Sequence, residues 1–433
     1  MAWMTTGFVR DALPAFGFVL ESAACCLFGC QVCAIAVSVR LLRHTPIVVA
    51  ACVSAIVATM GEILQAQFGV AWPVMSLSVP AAATPVAQLA AGVTPFGIAW
   101  ILYFVNFLFV RDNASQGWLR SAGPIAGIGV ASLALVVGQW IGTTTAVEPM
   151  RFTTMLVQPS VAASQESTAR LSTALDELTQ KSRLAGGPVD LVVWPETCLS
   201  VSSWPEPGQP LVVDQTASDL TLQRFFRDAQ PRYDTACLVG VPLWRREVAS
   251  RYGLELPEVR LYNTACLIPR SGAMSFHQKL ALVPLKEGLP DWLNQPWVRR
   301  RVLPIFGMHA QFTQGDRFRL LSFTTRSEQL ISVAVSICYE SHMPALPQFR
   351  DSRDVDAIVH LTCDTDFLKH PEWMERHILA CRYRAIETRR WNLVCSTSSG
   401  SAIIDPVGRV IARLNKGAGV LRNDEVTSRR ENQ

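Results

Sequence analysis

The sequence predicts an α/β domain preceded by an α-helical transmembrane region, and three observations carry that expectation. Only 17% of the 433 residues are charged and the mean hydropathy is +0.23, against roughly 25% charged in an ordinary soluble domain. Nearly all of the apolar excess lies before Glu148. From Arg151 onward the charge density is ordinary, and short β-branched runs alternate with amphipathic stretches, the pattern of sheets covered by helices. The chain therefore divides into a transmembrane helical region over 1–147, an α/β domain over 148–421 and a polar tail over 422–433.

Residues 22–39 form an uncharged run about long enough to cross a bilayer, which takes ~20 apolar residues. Further spans are read over 45–61, 88–110 and 121–147, the last with Gly, Ala and Ser available for close helix packing. The stretch 63–80 holds Gln65, Gln67, Trp72 and two prolines and reads as an interfacial or re-entrant arm; if it crosses instead, the chain has one more span. A cleavable signal peptide does not fit, because the first apolar run lacks a basic leader and further spans follow it. Arg40, Arg43 and His44 lie between spans one and two, and Arg111 and Arg120 between spans three and four. The positive-inside rule places both loops in the cytoplasm and everything after span four on the outer, periplasmic side. Glu21 and Glu62 flank spans one and two near their expected outer ends, where interfacial solvation suits a carboxylate.

In the second region, strands are expected over 152–159, 190–194, 236–241, 261–268, 330–337 and 357–361, with helices over 165–181 and 372–390. A closing strand pair over 393–414 turns around Asp405-Pro-Val-Gly408, where Pro fixes and Gly frees the backbone. The net charge of +4, without a long basic block, argues against a nucleic-acid partner. The twelve cysteines show no His/Cys spacing of a zinc site, and no metal or cofactor is expected. Cys25, Cys26, Cys30 and Cys33 sit inside an apolar helix, where small-residue packing accounts for them. Cys198, Cys237, Cys266, Cys338, Cys363, Cys381 and Cys395 fall in the outer domain. An oxidising compartment permits disulfides among them. Cys198 and Cys363 are the two placed to form a redox trap with Cys338.

Three segments carry chemistry. Cys338 ends a strongly strand-like run, Glu196 ends another at Trp194-Pro-Glu196-Thr, and Lys279 opens a loop that also holds Glu287. A thiol attacks a carbonyl as the thiolate, and its free pKa of ~8.5 leaves little thiolate at neutral pH. A carboxylate within reach serves as general base and an ammonium steadies a developing oxyanion. Taken singly, each residue has a structural reading: a buried thiol, a strand-end acid on backbone amides, a solvated surface lysine. Their combination points to covalent acyl chemistry.

The local phrases resemble the nitrilase, or carbon–nitrogen hydrolase, superfamily, and within it the bacterial apolipoprotein N-acyltransferases. They are Trp194-Pro-Glu196-Thr, Tyr262-Asn263-Thr-Ala, Lys279-Leu-Ala-Leu-Val-Pro284 followed by Glu287, and Cys338-Tyr339-Glu340. Arg384-Ala-Ile-Glu387 and Gly400-Ser-Ala-Ile-Ile-Asp-Pro-Val-Gly-Arg409 complete the series in family order. The resemblance implies a nitrilase-like α-β-β-α sandwich with Glu196 as base, Lys279 as oxyanion stabiliser and Cys338 as nucleophile. It also implies Glu287 as an auxiliary acid supporting the lysine, with Asn263 in the matching phrase among the substrate-binding and auxiliary positions. Tyr339 and Glu340 would shape the pocket beside the thiol, and Trp194 would line the entrance to the acyl site. The implied reaction moves an acyl chain from a phospholipid donor through a Cys338 thioester to the α-amino group of a diacylglyceryl-prolipoprotein. The implied setting is the bacterial inner membrane, multi-pass, with the catalytic domain periplasmic.

The chain departs from the family pattern in four respects, one of them Ser398-Ser-Gly400 where an asparagine-rich turn is usual. Val283-Pro-Leu-Lys-Glu287 stands where Val-Pro-Phe-Gly-Glu is usual, and Cys363-Asp364-Thr-Asp366-Phe367-Leu replaces Asn-Asp-Ala-Trp-Phe-Gly. About four spans stand where about eight are usual. Two other readings remain open: a membrane-tethered amidase using the same triad, and a non-catalytic binding protein built on the same sandwich.

Overall fold

The computed structural model describes residues 17–67, 76, 78–110, 122–159, 168–198, 234–251, 254–271, 273–283, 287–289, 297–298, 301, 312–343, 354–364, 371–398 and 400–424. The N-terminal region holds α1 (Gly17–Leu41), α2 (Ile47–Gln67), the short α3 (Ser78–Ala81), a 3-10 turn over Pro85–Leu89, α4 (Ala90–Val110) and α5 (Ala122–Thr144). Among the described residues, three stretches are long and apolar enough to cross a membrane: Ile47–Leu64, Pro85–Phe109 and Ala122–Thr144. Within the first expected span, Gly29–Leu41 is a shorter apolar stretch. The basic positions Arg111 and Arg120 lie outside the described residues.

The span expected over 88–110 is broken near its start. Thr94 takes φ 62° and ψ 169° ahead of Pro95, outside the helical region that a proline disfavours for the residue before it. The arm expected over 63–80 is described only at its two ends, since 68–75 and 77 lie outside the described residues. Its far end continues as α3 and the 3-10 turn, where Ser78, Val79, Ala81, Val86, Ala87 and Gln88 are buried. Ala82, Val86 and Ala87 pack with Ala134 of α5 on one side and with Tyr383 and Ile386 on the other.

The second region is a sandwich of two sheets, each of six strands among the described residues, with helices outside each. The first sheet is built from β1 (Thr154–Gln158), β2 (Leu191–Val193), β3 (Ala236–Arg251), β4 (Leu254–Ile268), β5 (Ser275–Gln278) and β12 (Gly419–Arg422), in the order β12-β1-β2-β3-β4-β5. The second runs β11-β10-β9-β8-β7-β6, from β6 (Leu321–Thr324), β7 (Leu330–Ile337), β8 (Ala357–Thr362), β9 (Trp391–Ser396), β10 (Ala402–Ile404) and β11 (Val410–Arg413). Each sheet has a parallel centre, β1-β2-β3 and β7-β8-β9, with antiparallel strands at the margins.

Residue parity along the strands separates the layers. Leu156, Leu191 and Val193 point between the sheets, where they meet Val333, Val335, Val359 and Leu393. Phe152 and Phe323 close that core edge to face, 5.7 Å between ring centroids. Met155, Val157 and Val192 point the other way, onto Leu171 and Leu175 of α6 (Thr168–Gly186). Behind the second sheet, Ile378, Cys381 and Ala385 of α7 (Pro371–Thr388) cover Val394, Ala402 and Ile404.

Strand β7 has the expected bounds, whereas β3 and β4 run well past 241 and start well before 261 as one long antiparallel ribbon. The polar tail expected from 422 is structured through 424. Arg422 pairs with Met155 in β12, Asn423 donates to the Phe152 carbonyl, and Asp424 accepts from the Arg422 guanidinium. Val420 and Leu421 pack on the apolar cores, but side-chain hydrogen bonds fix the residues beyond them, so hydropathy alone does not find the end of this segment.

Candidate active site

The three chemically suggestive residues stand past the carboxyl ends of their strands, two in one sheet and one in the other. Glu196 follows β2, Lys279 follows β5 directly, and Cys338 follows β7 directly. Two turns next to them use uncommon backbone. Thr197 has φ 48° and Cys338 has φ 49°, a left-handed conformation that non-glycine residues adopt at a cost and that clusters at functional sites. Glu196 is seated by a glycine on the neighbouring strand. A β-carbon at Gly240 would lie 2.5 Å from both the Glu196 Cα and the Pro195 carbonyl oxygen.

Lys279 is fully buried, so its charge must be met inside the protein. Its Nζ is 2.8 Å from Glu287 Oε1 and 3.4 Å from Glu196 Oε1. Burial pushes the ammonium down, but the charges of Glu196 and Glu287 outweigh it and hold its pKa above the usual lysine range. Asn263 completes the network, its Nδ2 donating to Glu196 Oε1 at 2.7 Å and to Glu287 Oε1 at 3.3 Å. The second oxygen of Glu196 accepts the backbone N–H of Cys363 at 2.8 Å, and that of Glu287 accepts the N–H of Val283 at 2.7 Å. Both carboxylates are thereby oriented by groups on separate segments.

Cys338 is half-buried against the inter-sheet core. Burial pushes its thiol well above the usual cysteine range; the Glu196 charge adds to this and Lys279 opposes it. Its carbonyl accepts the Ser341 hydroxyl at 2.8 Å. Tyr339 is buried behind it. Glu340 was expected to shape the pocket, but its carboxylate turns back into the backbone instead. It accepts N–H bonds from Ile337, Leu280 and Ala281, tying the residue before the thiol to the two residues after the lysine. Burial pushes its pKa up to about 7, with the amide donors and Lys279 pulling it back.

Trp194 does not line an entrance. Val193 faces the inter-sheet core, so the next side chain faces the helix layer. There Trp194 is buried, and its indole N–H donates to Thr179 Oγ1 of α6 at 3.1 Å. The seven cysteines of this domain are all free thiols. Cys198, one side of the expected trap, is buried with its thiol directed at the Gly240 carbonyl.

Sequence reasoning overlooked two features. Asp364, in the altered loop, is buried and accepts from Thr362 Oγ1 and Ser396 Oγ, while Thr397 Oγ1 receives its backbone N–H. This fixes the turn that presents the Cys363 N–H to Glu196. The second is His377 on α7, 3.2 Å from Ser341 Oγ. Neither shows any signal beyond the local phrase, because Ser396 and Thr397 for Asp364, and Ser341 for His377, lie more than thirty positions away.

A two-sheet sandwich with a carboxylate, an ammonium and a thiol at adjoining strand ends is the architecture of an amide- or ester-cleaving cysteine site. The carbon–nitrogen hydrolase family matches residues 156–424, and the chain belongs to that family. It is similar to apolipoprotein N-acyltransferase 2 of Treponema denticola, 26% identical over 227 residues, covering 52% of this chain and 39% of that protein. It is likewise similar to the apolipoprotein N-acyltransferase of Azotobacter vinelandii, 26% identical over 348 residues, covering 78% and 60%. The chain thus spans about two fifths to three fifths of the length of these curated relatives. Among solved structures, a nitrilase-superfamily protein of Saccharomyces cerevisiae aligns with a TM-score of 0.42 at 15% identity, covering 66% of this chain and 97% of that one.

Proposed function

We propose that this protein is a membrane N-acyltransferase. It would move an acyl chain from a phospholipid, through a thioester on Cys338, to the α-amino group of a lipoprotein's diacylglyceryl-cysteine. The observation that carries the reading is the union of two parts: a buried Glu196–Lys279–Glu287 network beside Cys338, on a domain packed directly against apolar helices of membrane-spanning length.

In this reading Glu196 takes the thiol proton as sulfur attacks the ester carbonyl. An ammonium has three hydrogens; two of those on Lys279 point at Glu287 and Glu196, and the third meets the developing oxyanion. The carbon–oxygen bond then breaks, Glu196 returns the proton to the departing lysophospholipid alkoxide, and the acyl chain remains on sulfur. The lipoprotein amine attacks the thioester, gives a proton to Glu196, and the carbon–sulfur bond breaks. That proton goes back to the thiolate. Because burial and Glu196 hold the resting thiol protonated, proton transfer accompanies the attack instead of preceding it. Covalent catalysis divides one exchange between two lipids into two easier steps.

The membrane in question would be the bacterial inner membrane, with the domain on its periplasmic side. Incubating the purified protein with labelled phospholipid and measuring intact mass tests the reading. An acyl adduct that is lost in Cys338→Ser is expected. No adduct, with turnover of simple amides, would identify a membrane-tethered amidase instead, and inertness in both assays a binding protein. Reporter fusions at Asn113 and at the C-terminus test the orientation; a cytoplasmic C-terminus contradicts it.

A further inference from the structure

Glu62 lies on α2 inside the apolar stretch Ile47–Leu64. A carboxylate in a spanning helix is costly unless donors meet it. Two hydroxyls do so here, from two other segments. Tyr103 of α4 donates to Oε1 at 2.9 Å, and Ser76 donates to Oε2 at 2.6 Å.

Ser76 leads into α3, where its Oγ accepts the Ser78 N–H at 3.2 Å and lies 2.8 Å from the Ser78 hydroxyl. The Ser78 carbonyl in turn accepts the phenol of Tyr383 at 2.6 Å. Tyr383 is buried on α7, a helix of the catalytic domain. A second polar tie joins the same arm to the domain: Gln88 donates to the Val407 carbonyl at 2.7 Å and accepts from Arg389 at 2.8 Å.

Six residues before Tyr383, α7 carries His377, which contacts Ser341 Oγ. The single hydrogen of that hydroxyl goes to the Cys338 carbonyl, so the Ser341 oxygen accepts from His377 and the imidazole proton resides on Nε2. Burial pushes His377 down to about 3, which keeps the ring neutral. The carboxylate in the membrane helices is thereby connected to the strained turn of the nucleophile. The connection runs through hydrogen bonds and one helix.

We propose that Glu62 is a positioning residue. By pinning Ser76 and Tyr103 it fixes the arm on which α7 rests, and α7 holds the Cys338 turn in register with the membrane helices. This rests on the acyl-transfer reading of the site. Its consequence is selective: Glu62 matters for a substrate delivered from the membrane and not for the reactivity of the thiol towards a small soluble electrophile.

The test uses the full-length protein in mixed phospholipid–detergent micelles. Two rates are measured on Cys338: acyl adduct formation from labelled phospholipid, and alkylation by iodoacetamide read on the Cys338 peptide. In Glu62→Ala acylation is expected to fall at least about tenfold, as for a site displaced by less than an ångström, while alkylation stays within about twofold. Glu62→Gln, whose amide still accepts from Tyr103 and meets Ser76, should restore acylation. Wild-type acylation in Glu62→Ala overturns the proposal, as does an equal loss of both rates. If Glu62→Ala does not accumulate, Tyr383→Phe removes the link to α7 and should give the same split; an unchanged ratio overturns the idea. If the wild-type protein itself forms no adduct, the acyl-transfer reading fails separately. The coupling is then read by amide hydrogen exchange, which Glu62→Ala should accelerate around Tyr383; unchanged exchange overturns it.

Discussion

Replacing Glu340 by glutamine tests how far the site depends on its backbone brace. The native carboxylate accepts three backbone N–H groups, one on Oε2 and two on Oε1. Glutamine has one acceptor oxygen, so in its better orientation it keeps Leu280 and Ala281 and turns an NH2 towards the Ile337 N–H. A buried donor left without an acceptor costs about 1–3 kcal/mol, and losing charge-assisted bonds adds to that. A total loss of about 2–4 kcal/mol is expected at pH 8, above the value of about 7 to which burial lifts this carboxyl. The substitution also loosens both sides of the site, since Ile337 precedes the thiol and Leu280 follows the lysine. Cys338 acylation should fall about 10–100-fold even where the variant is fully folded. Thermal unfolding in detergent gives the stability, and single-turnover acylation at 25 °C gives the rate. An unchanged melting temperature with an unchanged rate would refute the brace. A lower melting temperature with an unchanged rate would leave Glu340 purely structural.

Other substitutions separate stability from chemistry. Gly240→Ala should displace Glu196, because the new methyl meets rigid backbone on both sides; an overpacking loss of about 1–3 kcal/mol and a marked fall in acylation are expected, read by unfolding and adduct formation. Trp194→Ala should cost about 3–5 kcal/mol through its cavity under α6 while leaving the concentration dependence on phospholipid unchanged in the folded fraction. Acid should destabilise the fold. His277 and His360 are pushed down to about 4 and His377 to about 3 by burial, so between pH 6.5 and 4.5 the unfolded chain binds protons there that the folded one does not. Glu340 and Asp364, both lifted to about 7, oppose this in the same window by holding protons in the folded state. His342 is also held well below the usual imidazole range by burial, so four imidazoles outweigh two carboxyls and the melting temperature should fall on acidification. His277→Gln should flatten that slope by about one proton, or roughly 1.4 kcal/mol per pH unit; a slope unaltered by the substitution would contradict the assignment.

Sequence legibility tracked how local the deciding interaction was. Strand β7 was readable to the residue because its burial, its β-branched run and its end at the nucleophile lie within one window. Strand β12 was not readable: its end is fixed by side-chain bonds of Asn423 to Thr154 and Phe152 and of Arg422 to the Gly186 and Gly187 carbonyls, all far away in sequence. The same division runs through the site. Glu196 and Cys338 each follow an apolar strand, so pattern and chemistry coincide there; Lys279 follows the short, mostly polar strand Ser275–Gln278 and was legible from its local phrase alone. Glu340 and Trp194 sit in equally recognisable phrases, yet the roles expected of them differ from what the geometry gives. A short motif says which residue is present but not which way it turns, and orientation here follows from parity and from distant partners. Trp194 is one residue out of phase with the inter-sheet core. Glu340 lies one turn past a left-handed residue that swings its carboxylate back onto the lysine segment. Glu62 is the limiting case. Its flanking residues suggest only a span end with a solvated acid, and its two hydroxyl partners come from a helix forty-one positions on and an arm fourteen positions on. What the carboxylate holds becomes visible only when those segments are placed beside α7.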